Sequence, residues 1–226
     1  MNAAGQGGIP TAFIVGKDGK VAWIGHPMEI EKPLASVVAG TYDLATAAKK
    51  YAADARLKGV TAKLGKDVVK AKKDKDYATA LKLIDEAVAK DAAIETKFGA
   101  EKYFLLVSAQ RAADAATYGR RFVSQIIADN AMALNSFAWQ IVDPQGPWKT
   151  GDYALAVQAA EGASKLMDDK DASTLDTLGL ALFKAGQIDR AIEIQTKAVA
   201  LAAGNKDLES DLKGRLDEFK NAKKSL

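Results

Sequence analysis

The sequence contains no cysteine, and this absence excludes a whole class of chemistry. Without a thiolate the chain can form no disulfide, no thiolate metal site and no cysteine nucleophile. Histidine is nearly absent too, because His26 is the only one among 226 residues. One histidine without cysteine cannot complete the ligand set of an ordinary zinc site. We therefore expect no cofactor and no metal, and we interpret His26 as a structural or surface residue.

Long apolar runs and a strong charge imbalance are also missing. No stretch approaches the ~18 consecutive apolar residues that a membrane-spanning helix needs. The N-terminus has no basic region followed by an apolar run, so it does not look like a signal peptide. The net charge is +3, which is too weakly basic to predict nucleic-acid binding by itself. We expect neither a membrane nor a nucleic acid among the partners.

The motifs of the common enzyme classes are absent as well. The glycine-rich segment at residues 5–8 lacks the preceding strand and following helix of a dinucleotide-binding loop. No phosphate-binding Gly-x4-Gly-Lys-Ser/Thr loop and no Gly-x-Ser-x-Gly elbow occurs. The carboxylates do not form a catalytic pair at a spacing that we can justify, as Glu86, Asp114 and Glu161 illustrate. The sequence therefore favours a non-enzymatic role, with a hydrolase of unrecognised site as a remaining alternative.

Two short runs of strand-forming residues near the N-terminus predict a β-hairpin. They lie at residues 11–15 and 20–24, and the loop between them has glycine at both ends, where positive φ is needed. Pro33 suits the first turn of a short following helix, and Gly40 suits its end. We expect this β-β-α unit to occupy residues 1–43.

Residues 8–15 and 16–27 resemble the C-terminal part of the thioredoxin-like fold. The matched segment holds the cis-proline loop and the antiparallel hairpin of that family, which makes Pro10 the cis-proline candidate. The family's Cys-x-x-Cys motif would lie upstream of Ile9, yet only eight residues precede Ile9 and none is cysteine. The alternative function is therefore a truncated piece of a thiol–disulfide oxidoreductase. Family members are often exported, whereas this chain as given is expected in the cytoplasm.

From Leu44 onward the pattern becomes helical. Apolar residues recur at spacings of three and four through residues 44–226, and strand signals nearly vanish. Helix length and the breaks in the pattern predict roughly nine or ten helices. The breaks fall at residues 73–76, 90–93, 143–151, 167–172 and 186–187.

The helices look like repeats, most clearly at residues 172–203. This segment resembles a tetratricopeptide repeat, and Gly179, Ala191 and Ala198 are small enough to let two antiparallel helices approach closely. In weaker copies the second helix begins at Asp76-Tyr77 and at Asp152-Tyr153, with residues 134–139 in the first helix of the latter copy, whereas residues 95–129 fit the pattern poorly. We predict a mainly α protein, a TPR-like α-solenoid of three to four imperfect helical pairs over residues 44–226. The N-terminal hairpin and helix would precede it, and residues 206–223 would form a capping helix.

Two segments are candidates for partner binding. Lys66, Lys70 and Lys73 belong to a lysine-rich helix in which the apolar residues fall largely on another face, so they would suit an acidic partner. Pro147 and Trp148 lie in a proline-punctuated loop, and insertions in repeat proteins often map to the binding face. A scaffold that binds a protein or peptide through such surfaces is the leading interpretation of function.

The first predicted strand is a candidate for self-association. In the resembled fold this strand is internal, so here it would present an unpaired row of backbone groups. A two-stranded hairpin alone is marginal in water, and pairing with a second copy would give a four-stranded sheet. The dimer edge would consist of Thr11, Ala12, Phe13, Ile14 and Val15.

Overall fold

The structure is a computed structural model and describes residues 10–147 and 151–225. Over these residues the fold is mainly α-helical and carries one short antiparallel β-hairpin near the N-terminus, which confirms the predicted fold class. The chain divides into two compact units, residues 1–63 and 64–226.

The hairpin consists of β1 (Ala12–Val15) and β2 (Val21–Gly25), so the first strand begins one residue later than expected. Ile14 lies opposite Trp23, and a bulge interrupts the register between Ile14 and Val15. Gly19 adopts a φ of 74° in the connecting loop, which is the left-handed conformation that glycine tolerates best. Gly16, at the other end of the loop, does not adopt the positive φ that the sequence analysis expects, so only Gly19 meets that expectation.

Helix α1 (Glu31–Val38) completes the short N-terminal segment. A 3-10 turn at Pro27–Glu29 precedes it, and the imidazole Nδ1 of His26 accepts a hydrogen bond from the backbone N–H of Met28 at 3.3 Å. Gly40 has a φ of 72° just after the helix, and the N–H of the following residue bonds back into the last turn. The contact made by His26 is therefore the cap of a turn.

Helix α2 (Leu44–Lys73) is 30 residues long and begins where the sequence predicts the helical region. The Asp43 side chain accepts a hydrogen bond from the N–H of Thr46 at 3.0 Å, which satisfies one of the unpaired donors at the helix start. The division into two compact units falls inside this helix, between Lys63 and Leu64. A boundary between residues 43 and 44 that separates independently folding parts stays a prediction.

The remaining helices pack against their neighbours in chain order within residues 64–226. Helix α4 packs against α3 and α5, α7 packs against α6 and α8, and α9 packs against α8 and α10. Helix α6 also contacts α8, so alternate helices touch as well as consecutive ones. Such nearest-neighbour stacking of helical hairpins is an α-solenoid of the tetratricopeptide type. The helices are α3 (Tyr77–Lys90), α4 (Ala93–Ser108), α5 (Ala112–Arg121), α6 (Ala131–Val142), α7 (Tyr153–Leu166), α8 (Ala172–Lys184), α9 (Ile188–Leu201) and α10 (Lys206–Lys224).

The same turn joins α2 to α3, α4 to α5, and α8 to α9. In each turn one residue has a φ between 57° and 77°, and the next N–H bonds to a carbonyl of the preceding helix at 2.9 Å. This is the Schellman arrangement that ends many helices. The left-handed residues are Lys75, Gln110 and Gly186. The poorly matching segment at residues 95–129 thus contains a hairpin of the same construction.

That segment departs from the repeat pattern after α5. Phe122–Ile126 forms a π-helical turn, in which the N–H of Ile127 bonds to the carbonyl of Phe122 at 3.0 Å. The Phe122 and Val123 side chains are buried by this turn. A π-helical turn shifts the helical phase, which explains why a regular spacing of three and four fails to describe these residues.

The clearest predicted repeat is also closely packed. The α8 and α9 residues that match the repeat are buried except Ile188, which is partly exposed, and a Cβ added at Gly179 would lie 2.5 Å from Oε1 of Gln195. The small residues therefore do permit the close approach of two helices. The buried members of this set are Leu175, Leu178, Leu182, Ala191 and Ala198.

Candidate binding site

The three lysines proposed for partner binding lie together on one face of α2. Lys66, Lys70 and Lys73 follow one another at one-turn spacing and are all exposed. The buried stripe of this helix, Leu64, Val68 and Ala71, projects from the opposite face. Among the residues that the structure describes, no carboxylate forms an ion pair with any of the three ammonium groups. We call this surface, together with the adjoining Val69, the lysine face.

The surroundings of the lysine face distinguish it from the rest of α2. Lys72, next to Lys73 in the chain, reaches towards α4 and forms an ion pair with Glu101 at 2.6 Å. Val69 is 52% exposed beside the lysines, which gives the face an apolar border. Lys70 and Lys73 lie in the last turn of the helix, where positive charge interacts favourably with the helix dipole. These two lysines therefore stabilise α2 whether or not a partner is bound.

The other predicted binding segment is the loop after α6. Pro147 is exposed in this loop, whereas Trp148 lies outside the described residues. The loop starts with Asp143, whose side chain accepts from the N–H of Gln145 at 2.9 Å and whose carbonyl accepts from the N–H of Gly146 at 3.0 Å. The binding role of Pro147 and Trp148 stays a prediction.

A cavity of about 320 Å³ lies between α4, α5, the end of α6 and the start of α7. Apolar side chains form most of its wall, and the polar contributors are Tyr103, Gln110 and Asp152. Burial and the negative charge of Asp152 raise the pKa of Tyr103 to about 12. The phenol is therefore neutral at physiological pH. The apolar wall comprises Phe104, Val107, Ala112, Ala115, Ala116 and Ile141.

The sequence does not predict this cavity, although Asp152 in its wall belongs to a recognisable local pattern. Asp152-Tyr153 predicts the second helix of a repeat, and the Asp152 side chain does cap α7 by accepting from the N–H of Leu155 at 3.0 Å. Gln110 occupies the left-handed position of its turn, with a φ of 58°. The cavity itself combines residues from three helices, from the turn at Gln110 and from the segment just before α7, and no local sequence pattern predicts such a combination.

A polar network at the base of α4 also has no signal in the sequence. Glu95 is buried, accepts a hydrogen bond from the Tyr118 hydroxyl at 3.2 Å and forms an ion pair with Arg121. Burial, followed by the Glu95 charge, raises the pKa of Tyr118 above its ordinary value. The Lys102 ammonium lies over the Tyr118 ring, 4.6 Å from its centroid. Because these side chains form hydrogen bonds, an ion pair and a cation–π contact with one another, we interpret the network as a structural contact that stabilises the packing of α4 against α5.

A second network joins the last helices. The Gln195 side chain is fully buried and donates from Nε2 to Asp176 at 2.7 Å and to the carbonyl of Leu212 at 3.3 Å. Asp176 also pairs with Arg215, whose guanidinium lies 5.6 Å from the centroid of the Trp139 ring. These contacts fasten α10 onto the solenoid and fit the capping role predicted for it.

The N-terminal unit brings aromatic side chains together. A groove of about 500 Å³ is lined by Trp23, Tyr42, Tyr51 and smaller side chains from residues 21–54. Its charged residues have both signs, because they include one lysine beside two carboxylates. These charged residues are Glu29, Lys50 and Asp54.

The predicted cis-proline lies at the edge of the described part of the chain. Pro10 is exposed, and the peptide bond that precedes it involves Ile9, which lies outside the described residues. The resemblance to the thioredoxin-like fold and the cis-proline assignment therefore stay predictions.

Metal-binding clusters and membrane-spanning helices are not found in the described part of the chain. Residues 10–147 and 151–225 contain no group of three or more histidine, cysteine, aspartate or glutamate side chains that could hold a metal ion. No described helix combines the length and apolar character required to cross a membrane.

Comparison with known proteins gives no family for this chain. No protein-family model matches it, and no curated protein matches it. A solved structure described as "MamA RS-1 ArsTM double mutant" is similar to it, with 15% sequence identity and a TM-score of 0.42. The match covers 74% of this chain and 98% of that chain. At this TM-score the similarity has no bearing on function, which we infer from the chain's own geometry.

Proposed function

We propose that this chain is a non-enzymatic scaffold that binds a protein or peptide, and that an acidic segment of the partner docks on the lysine face. The observation that carries the proposal is the set of three exposed ammonium groups without carboxylate partners among the described residues. Stacked helical hairpins support it, because they present side chains of successive elements on a continuous surface.

The composition of the lysine face indicates the chemistry of its partner. Lys66, Lys70 and Lys73 span about two helical turns, so they match carboxylates spaced over an acidic peptide of similar length. Val69 offers an apolar contact at the border of the same face. Each exposed ion pair contributes only about 0.2–1 kcal/mol. Three such pairs would therefore give modest binding that weakens as the salt concentration rises.

The test is the binding of a fluorescein-labelled decaglutamate peptide, followed by fluorescence anisotropy at low ionic strength. The triple variant K66Q/K70Q/K73Q should bind about tenfold more weakly, since about 1.4 kcal/mol is lost with the three pairs. The matched control K206Q/K220Q/K224Q removes the same charge from exposed positions on α10. The control should bind like the wild type. An equal loss in both variants would show that only total charge matters and would overturn the proposal.

We also propose that the scaffold is redox-inactive and self-associates through β1. The chain has no cysteine for dithiol exchange. Strand β1 pairs only with β2 among the described residues, so its outer edge has no strand partner there. Phe13 and Val15 are 38% and 58% exposed, which supports pairing with the same strand of a second copy.

A further inference from the structure

The cavity between α4, α5 and the start of α7 combines an apolar wall with a single fixed charge. Among its described lining residues, Asp152 is the only one that is charged at neutral pH. Phe104, Val107 and Ile141 represent the apolar side chains that form most of the surface. A ligand that fits must therefore be largely apolar, and Asp152 would repel an anionic group on it.

The Asp152 carboxylate is held in a fixed position. It accepts a hydrogen bond from the N–H of Leu155 at 3.0 Å and thereby caps α7. No lysine or arginine among the described residues forms an ion pair with it. A carboxylate can accept about four hydrogen bonds and Leu155 uses one of them, so the same group can also contact a cation that enters the cavity.

Aromatic rings add a second feature that favours a cation. Tyr103 and Phe104 meet edge to face, with ring centroids 5.1 Å apart, and Phe137 packs against Tyr103 at the same distance. Ring faces attract ammonium and guanidinium groups, most strongly where water is excluded. Tyr103 is neutral at physiological pH, so Asp152 supplies the negative charge that a cation would meet. The rings are fixed by their mutual packing and need little rearrangement on binding.

We propose that this cavity is a binding site for an organic cation with an apolar body. The apolar body would lie against Phe104, Val107 and Ile141, and the cationic group would contact Asp152. The volume of about 320 Å³ is large enough for an aromatic ring with a short alkyl chain. Two sources share this chemistry: a free arylalkyl amine, and an aromatic residue beside a lysine or arginine in a peptide. The site is independent of the lysine face and of what binds there.

The experiment compares three probes of similar shape and different charge. They are 2-phenylethylammonium, 2-phenylethanol and 3-phenylpropanoate, titrated into the full chain while the methyl resonances of Ile141 are followed by NMR. The ammonium probe should bind about three- to tenfold more tightly than the neutral alcohol, as expected for one cation–π and carboxylate contact. The anionic probe should bind most weakly. Equal binding of the ammonium and the alcohol would overturn the proposal.

Two pairs of variants test whether the probes bind in this cavity. D152N keeps a good helix cap, because asparagine caps as well as aspartate, yet removes the charge. It should lower the preference for the ammonium probe to the part that the aromatic rings contribute, whereas D171N, the equivalent change at the cap of α8, should leave the full preference intact. A116L should abolish binding by filling the cavity, while A113L, at an exposed position on the same helix, should not. Unchanged binding to A116L would overturn the proposal, because the probe would then bind elsewhere.

A final comparison identifies the source of the cation. N-acetyl-Phe-Lys-amide is titrated beside N-acetyl-Phe-norleucine-amide, which has the same length without the ammonium group. Tighter binding of the lysine peptide than of 2-phenylethylammonium would support a peptide ligand, and the reverse order would support a free amine. A lysine peptide that binds no more tightly than the norleucine peptide would exclude the peptide source. The K66Q/K70Q/K73Q variant should bind all probes of this site like the wild type, so the two proposals fail or stand separately.

Discussion

Single glycines decide how closely the helices of residues 64–226 can approach. Gly99 on α4 lies directly against the Phe122 ring, and an added Cβ would lie 2.8 Å from the ring Cζ. That ring is almost fully buried and packs against Phe137 at a centroid distance of 5.4 Å. It cannot rotate away without leaving the core. A side chain at position 99 must therefore displace α4 or the π-helical turn that carries Phe122.

We predict that Gly99→Ala destabilises the protein by about 1–3 kcal/mol, the usual cost of overpacking a core. Gly214→Ala is the matched control, because an added Cβ there meets nothing within 4 Å and lies on the exposed side of α10. That substitution should stabilise by up to ~1 kcal/mol, since alanine favours helix more than glycine does. Chemical denaturation of both variants measures the two free energies of unfolding. Stabilisation by both would contradict the close packing at Gly99.

Strand β1 carries apolar side chains that are not covered by other described residues. Ile14 is buried, while its neighbours Phe13 and Val15 are exposed, so the strand has one covered side and one open apolar side. An exposed strand edge with apolar side chains is a template for pairing with another chain. Proline at position 14 would disturb the hairpin itself, because that side chain packs inside. Charge at the exposed positions is the cleaner probe of self-association.

We predict that the wild-type chain is a dimer at high micromolar concentration and that F13K/V15K is a monomer. Like charges facing each other across a two-fold axis would repel, and lysine on an edge strand opposes pairing. M28K/V38K adds the same charge at exposed apolar positions outside β1 and should remain dimeric. Size exclusion coupled to light scattering gives the molar masses. A monomeric wild type would contradict self-association. A dimeric F13K/V15K variant would show that the interface lies outside β1.

At the scale of the whole molecule, the solenoid depends mainly on packing between neighbouring helical hairpins. Such chains gain stability from each repeat and from each interface between repeats. The N-terminal hairpin and α1 are not repeats of this kind and belong to the other compact unit. Residues 64–226 include α10, which is fixed by the Gln195 and Arg215 contacts.

We predict that residues 44–226 fold without the first 43 residues. Thermal unfolding followed by circular dichroism should remain cooperative, with a midpoint within about 4 °C of the full chain, a shift that corresponds to roughly 1–2 kcal/mol at this size. Residues 64–226, the second compact unit, serve as the comparison. A broad, non-cooperative transition for 44–226 would show that the hairpin unit is integral to the fold. Folding of 44–226 but not 64–226 would show that the first half of α2 is needed.

Features that depend on near neighbours could be predicted from the sequence alone. Helix breaks, the hairpin loop and the caps at Asp76 and Asp152 follow from residues within a few positions of one another, because turn geometry and the helical period are local. The absence of cysteine is likewise read directly from the chain. The repeated turn at Gln110 escaped prediction because glutamine is an unusual residue for a left-handed position.

The pairing of side chains between helices depends on the tertiary structure and cannot be predicted from local sequence patterns. Glu95 reaches Tyr118 over 23 positions and Asp176 reaches Arg215 over 39, and no periodic pattern encodes such pairings. The cavity beside Asp152 depends on α4, α5 and α6 meeting the segment before α7, so no single element carries a sequence pattern that predicts it. The lysines of α2 could be assigned to a polar face from their spacing. Their lack of carboxylate partners among the described residues depended on where the acidic side chains of other helices came to lie.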